Sequence, residues 1–139
     1  MSYLFNKSRT AQGTVAECRF VKPGAAPFTA SQAAAETDSL IGVSLQFFNP
    51  QDGQRFDFAV LGPAKLQLGA AVADGALLTS DANGCGITAL RHAHTENIAA
   101  AYAENATTAP APVARVGALA LSAGNAGDVI DVIVLPLLA

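Results

Sequence analysis

Residues 41–61 read IGVSLQFFNPQDGQRFDFAVL, and residues 116–135 read VGALALSAGNAGDVIDVIVL. Each segment opens on a β-branched residue followed by glycine, Ile41-Gly42 and Val116-Gly117, and runs on through a short apolar stretch. A glycine-containing turn follows, and then a second apolar run with one aspartate: Phe56-Asp57-Phe58-Ala59-Val60-Leu61 against Ile130-Asp131-Val132-Ile133-Val134-Leu135. Phe56, Phe58 and Val60 alternate with Arg55, Asp57 and Ala59, and Ile130, Val132 and Val134 repeat that face. Period-two alternation is the signature of a strand with one buried face. The turn segments, residues 49–53 and 122–127, carry Asn, Pro, Asp and Gly, which preset turns or tolerate positive φ. Helix is the poorer reading, because β-branched and aromatic residues dominate and glycines punctuate. The spacing predicts two β-hairpins related by an internal duplication, the paired framework of the domain.

Working outward, Ala64, Leu66 and Leu68 alternate with Lys65 and Gln67 and begin a third β unit. In it, residues 76–80 and 85–90 flank Asp81-Ala82-Asn83-Gly84, whose closing Asn-Gly is a strong hairpin signal. Thr14 to Val21 is expected as a strand that stops at Lys22-Pro23-Gly24. Ser31 to Glu36 reads as one helical turn capped by Ser31, or as a loop. Thr95 to Asn105 reads as a short helix, with Thr95 as cap, Glu96 in the first turn and Pro110 and Pro112 beyond it; an Ala-rich loop explains the composition as well. Residues 1–14 are polar and patternless, and are expected as an extended or disordered N-terminal arm. The expected fold class is therefore mostly β: a compact small barrel or sandwich of antiparallel hairpins with one or two short helices. A chain of 139 residues suits a single domain, here residues 15–139.

Composition narrows the function classes. Charged residues make up 14% of the chain, against about 25% in an average soluble domain, so part of the surface is suited to another protein subunit. The net charge is −3 and no basic cluster occurs, which argues against a nucleic-acid reader. The first ten residues contain no apolar signal-peptide core, and the apolar run Val132 to Ala139 is too short to cross a bilayer and is broken by Pro136. The expectation is a soluble chain made in the cytoplasm, with Cys18 and Cys85 buried and reduced, a single bridge between them being the alternative.

Candidate chemistry is thin. His92, His94 and Glu96 are the one ligand-like cluster, but a zinc site takes three or four ligands and no fourth partner stands at recognisable spacing. They read as exposed residues at a strand-to-helix connection. Ser44, Ser80 and Ser122 lie near strand ends or turns, and none has the G-x-S-x-G context of a nucleophile elbow. Cys85, between Gly84 and Gly86, has no helix N-terminus or basic neighbour in sequence to activate it. Asp57 and Asp131 occupy equivalent strand positions, where a solvated face or an ion pair explains them, with Arg55 a local partner for Asp57. Gly124 to Gly127 lacks the following Lys-Ser/Thr of a phosphate cradle. The expectation is no catalytic, cofactor or metal residue, and so no enzyme.

The run Gly69 to Gly84, GAAVADGALLTSDANG, stands between Ile41-Gly42-Val43-Ser44-Leu45 on one side and Val116-Gly117-Ala118-Leu119 with Ala126-Gly127-Asp128-Val129-Ile130 on the other. In that order these motifs resemble the decoration, or cement, proteins of tailed-phage capsids, over about residues 38–90 and 113–135. The resemblance implies a compact β domain, a homotrimer, bound outside an assembled head and clamping neighbouring major capsid subunits near three-fold positions. It implies no catalytic residue. Arg91 to Pro112 departs from the pattern as an insertion, expected as an intersubunit contact, an exposed ornament or a capsid-binding arm.

Two other classes compete with this reading. A glycan- or ligand-binding β domain of a virion or fibre needs exposed aromatics, and Phe47, Phe48, Phe56, Phe58 and Tyr102 fall mostly at core-like positions. A metal-dependent hydrolase would have to be built from His92, His94 and Glu96.

Overall fold

The computed structural model describes residues 5–89 and 115–138, and these form nine strands and no helix. In chain order the strands are β1 (Phe5–Ala11), β2 (Phe20–Pro23), β3 (Thr29–Gln32), β4 (Gly42–Ser44), β5 (Arg55–Gln67), β6 (Leu77–Ser80), β7 (Gly86–Thr88), β8 (Arg115–Ala120) and β9 (Val129–Leu138). The helix expected over 95–105, the insertion 91–112 and the His92–His94–Glu96 group lie outside the described residues. The helical turn considered at Ser31 is instead the end of β3, followed by a loop in which the Asp38 carboxylate accepts from the amides of Ala34 and Ala35.

The architecture turns on β5. Its first half pairs with β1 on one side and β4 on the other; β4 pairs with β2, β2 with β3 and β3 with β1. That circuit closes a five-stranded barrel. Ala11, Val15, Val21, Ala30, Phe56 and Phe58 fill it, with the two phenyl rings 5.7 Å apart and tilted by 45°. At Gly62-Pro63 the strand changes partners, and residues 62–67 pair with β9. From there the sheet continues through β8 and β6 to β7, and a parallel bridge from Leu68 to Gly86 draws β7 back towards the end of β5. Leu66, Leu68, Leu78, Ala118, Ala120, Ile130, Val132 and Val134 form the core of this second half.

The halves meet on the outer wall of the barrel. Phe20 stands opposite Val43, and Val43 opposite Ala59, so one row crosses β2, β4 and β5 and joins the second core rather than the barrel interior. All three are completely buried. Strand alternation produces this division: Val21 and Phe58 point into the barrel, and Phe20 and Ala59 point out of it.

Both duplicated hairpins form, and they join through their second strands, β5 and β9. Their registers differ by one residue. Val43 faces Ala59, whereas the equivalent Ala118 faces Val134 and not Ile133. A one-residue slip exchanges faces, so Val43 sits back to back with Phe58 while Ala118 shares a core with Val132. The third unit also forms, with β6 and β7 as its hairpin, but residues 64–67 belong to the thirteen-residue β5.

Two sequence expectations need revision. Thr14 to Val21 is not one strand, since β2 begins only at Phe20. In the preceding stretch the amides of Ala16, Glu17 and Arg19 donate to side chains of Gln32, Asn49 and Ser44, so side chains replace a ladder there. Residues 5–11, within the expected N-terminal arm, are extended and lie in the sheet, paired along β5 from Phe5↔Leu61 to Thr10↔Arg55. Asn6, Lys7 and Ser8 are exposed, so over these residues it is backbone pairing that holds β1 in place.

Candidate interaction surface

The serines that the sequence offers for chemistry stand at separate points of the fold, on β4, at the end of β6 and in the β8–β9 turn. Ser44 is buried; its hydroxyl donates to the carbonyl of Ala16 at 2.6 Å and accepts from the amide of Arg19 at 2.9 Å, which clasps the 16–19 loop to β4. Ser80 is buried and donates to the carbonyl of Asp81. Ser122 is half-buried in the β8–β9 turn. Cys18 and Cys85 are buried free thiols. Burial pushes Cys18 up from 9.0 to about 11, with Glu17 adding to the rise against Arg19 and Lys65. Burial raises Cys85 as well, opposed by Arg19. Neither is poised as a thiolate.

The two aspartates behave differently. Asp131 faces Lys65 across the β5–β9 ladder, and the charges meet at 2.6 Å. Asp57 faces Ser8 of β1 and does not pair with Arg55, which faces Thr10; the ion pairs among the described residues are Lys65–Asp131 and Lys22–Asp38. The reason is geometric. Residues two apart on a strand stand about 6.5–7 Å apart, while direct cross-strand neighbours stand about 4.5–5.5 Å apart. In the Gly124–Gly127 turn the Asp128 carboxylate accepts from the amide of Asn125, and the Gly127 amide donates to Leu68. The amides of Gly124, Asn125 and Gly127 are thus engaged within the fold. Among the described residues no three His, Cys, Asp or Glu side chains gather as a metal site.

What the surface does present is apolar. Phe28 is 83% exposed and Phe47 is 85% exposed, with Phe48, Leu61, Leu121 and Val129 exposed to a lesser degree. Sequence reasoning put Phe47 and Phe48 among core-like aromatics and passed over Phe28, and here periodicity offered no guide because both loops lie outside any alternating run. Phe28 (φ 61°) and Phe47 (φ 68°) both have left-handed backbone, which costs an L residue roughly 1–2 kcal/mol. Each is held there by its surroundings. The Phe28 carbonyl accepts from Thr10, Thr29 Oγ1 donates to Ala26, and Gln12 Oε1 accepts from the amide of Ala25. The Phe47 amide donates to Glu17 Oε2 at 2.7 Å, and Asn49 Oδ1 accepts from the amide of Glu17. These loops are braced in a strained form that displays a phenyl ring to solvent.

Beside the second loop, Ser44, Leu45, Gln46, Pro63, Ala64, Lys65 and Asp131 line a shallow open groove of about 280 Å³. It holds both a mixed polar pair and apolar walls, where β4 leaves the sheet next to the partner change of β5.

No family model matches the chain, and no curated protein matches it. Its fold is similar to a solved structure, the head fiber gp8.5 N base in bacteriophage phi29, at a TM-score of 0.60. The likeness covers 99% of this chain and 98% of that one, at 14% sequence identity. At that identity the likeness is one of fold.

Proposed function

We propose that the chain is a structural protein of a phage virion that binds the outside of the assembled head and stabilises contacts between major capsid subunits. One observation carries the reading: the likeness in fold to a head-fibre base runs over 99% of this chain and 98% of that one. The surface chemistry supports it. A chain with 14% charged residues and two displayed phenyl rings is built to exclude water against another protein. In this reading the chain works as a homotrimer, is made in the host cytoplasm, carries no catalytic activity, and reaches useful avidity because many copies sit on one shell. Purified protein mixed with undecorated, expanded heads should co-sediment to saturation and raise the temperature at which the heads rupture. Absence of binding at saturating protein would end this proposal.

A second reading, a glycan- or ligand-binding domain of a virion or fibre, draws on the groove at Gln46, Lys65 and Asp131 beside the exposed Phe47 and Phe48. Paired polar groups next to an aromatic face can hold a sugar ring. A saturable hit on a glycan array, lost in Lys65→Ala, would favour it over the first.

A further inference from the structure

We infer that Phe28 and Phe47 are the two anchors by which the chain bridges neighbouring shell subunits, one ring seated in each. The inference rests on the head-binding reading above and names the contacts that reading needs. Exposed aromatic residues on surface loops are ordinary when the loop is relaxed. Here both are in left-handed backbone, which glycine or asparagine would occupy with less strain, and both loops are braced by hydrogen bonds from distant residues. A strained conformation that persists with nothing in the fold gaining from the side chain points to use of that side chain outside the fold.

Topology sets where the two loops stand. The Phe28 loop follows β2 and the Phe47 loop follows β4, and these strands are antiparallel neighbours, Phe20 opposite Val43 and Val21 opposite Gly42. The loops therefore leave opposite ends of one ladder on a closed barrel. A flat lipid surface could take one ring but not both, and the chain has no basic cluster to hold an anionic surface or a nucleic acid. A phenyl ring has no polar handle, so it fits a preformed apolar pocket on a protein, and two exposed rings on loops at opposite ends of a ladder fit two subunits. Anchors of this kind are few, aromatic and rigidly presented.

The test uses Phe28→Gly, Phe47→Gly and the double variant of the full chain, with undecorated heads as the partner. Glycine accepts φ near +60° without strain, so the variants should melt no lower than the parent. Each single variant should bind heads at least about tenfold more weakly, and the double variant more weakly again. A chain carrying photo-crosslinking phenylalanine analogues at both position 28 and position 47 should join two shell subunits to itself, giving a product with the mass of one copy of this chain plus two shell subunits. The inference is overturned if either glycine variant binds like the parent, if the doubly labelled chain captures a single shell subunit or another copy of this chain, or if the rings drive binding to neutral lipid vesicles instead. If the parent protein itself fails to bind heads, the head-binding reading fails and the inference falls with it.

Discussion

The ring of Phe20 fills the space that a side chain at Gly117 would need: a Cβ built there lies 2.5 Å from Cε1 of Phe20 and 2.9 Å from Cδ1 of Leu40. This contact joins the outer wall of the barrel to β8 of the second half. Gly42, the matching glycine of the first hairpin, is closed in the same manner, by the carbonyl of Ala59 and the Phe58 ring. The repeated glycines at the heads of the two hairpins are thus sites of close approach.

Gly117→Ala should therefore destabilise the fold by about 1–3 kcal/mol, the usual range for overpacking. Gly42→Ala should cost at least as much, since its obstacle is a backbone carbonyl that cannot rotate away. Chemical denaturation measures both. In a Phe20→Leu background the cost of Gly117→Ala should shrink, because the two positions share one space, and a double-mutant cycle reads that coupling directly.

The Asp81 turn offers a second check. Asp81 Oδ1 accepts from the amides of Asn83 and Cys85 at 2.8 and 2.9 Å, and Gly84 takes φ 76°. Asp81→Ala removes the acceptor of both amides and should cost about 1–3 kcal/mol. Faster hydrogen exchange at Asn83 and Cys85, measured by NMR, should accompany the loss.

The Lys65–Asp131 pair should matter far less despite its short distance. Its side chains are 48% and 62% exposed, and exposed pairs contribute about 0–1 kcal/mol. Lys65→Ala and Asp131→Ala should each shift the denaturation midpoint only slightly. A coupling energy well above that range in a double-mutant cycle would contradict this account.

Cys18 supplies a pH dependence. Its folded pKa is raised from 9.0 to about 11, so the neutral thiol is the form the fold favours. The unfolded chain ionises first. The stabilisation is therefore complete below pH 9 and is lost as pH climbs towards 11. Native protein near pH 8 should react slowly with a thiol reagent at both cysteines, react at once after unfolding, and melt at a lower temperature as pH rises through that window. A Cys18→Ala variant should show a flatter alkaline limb.

How much of this was legible follows from where apolar periodicity reaches. Phe56 and Phe58, and Ile130, Val132 and Val134, alternate because each strand buries one face, so both hairpins could be read from them. Asp81 and Gly84 marked a turn because their chemistry is local. The partner change at Gly62-Pro63 could not be read, since which strand lies alongside is decided by tertiary contact, and nothing in that dipeptide says that β5 continues. The display of Phe28 and Phe47 was hidden for a related reason. Their loops are shaped by Gln12, Thr10 and Glu17, residues distant in sequence.

The N-terminal strand gives the sharpest contrast between sequence and fold. A polar segment with Asn6, Lys7 and Ser8 facing solvent resembles a dispensable arm. In the barrel, however, β1 is the one strand that joins β3 to β5, and without it the circuit opens and leaves both of those edges unpaired. Ala11, which belongs to the barrel core, would be lost as well. Removing residues 1–11 should therefore abolish cooperative melting of the barrel or drive edge-to-edge aggregation, measured by calorimetry and light scattering. Triple alanine replacement of Asn6, Lys7 and Ser8, which keeps the backbone ladder, should change stability by less than about 1 kcal/mol. An arm would give the opposite pattern: the deletion would be tolerated, and the melting profile of the remaining chain would stay as sharp as that of the parent.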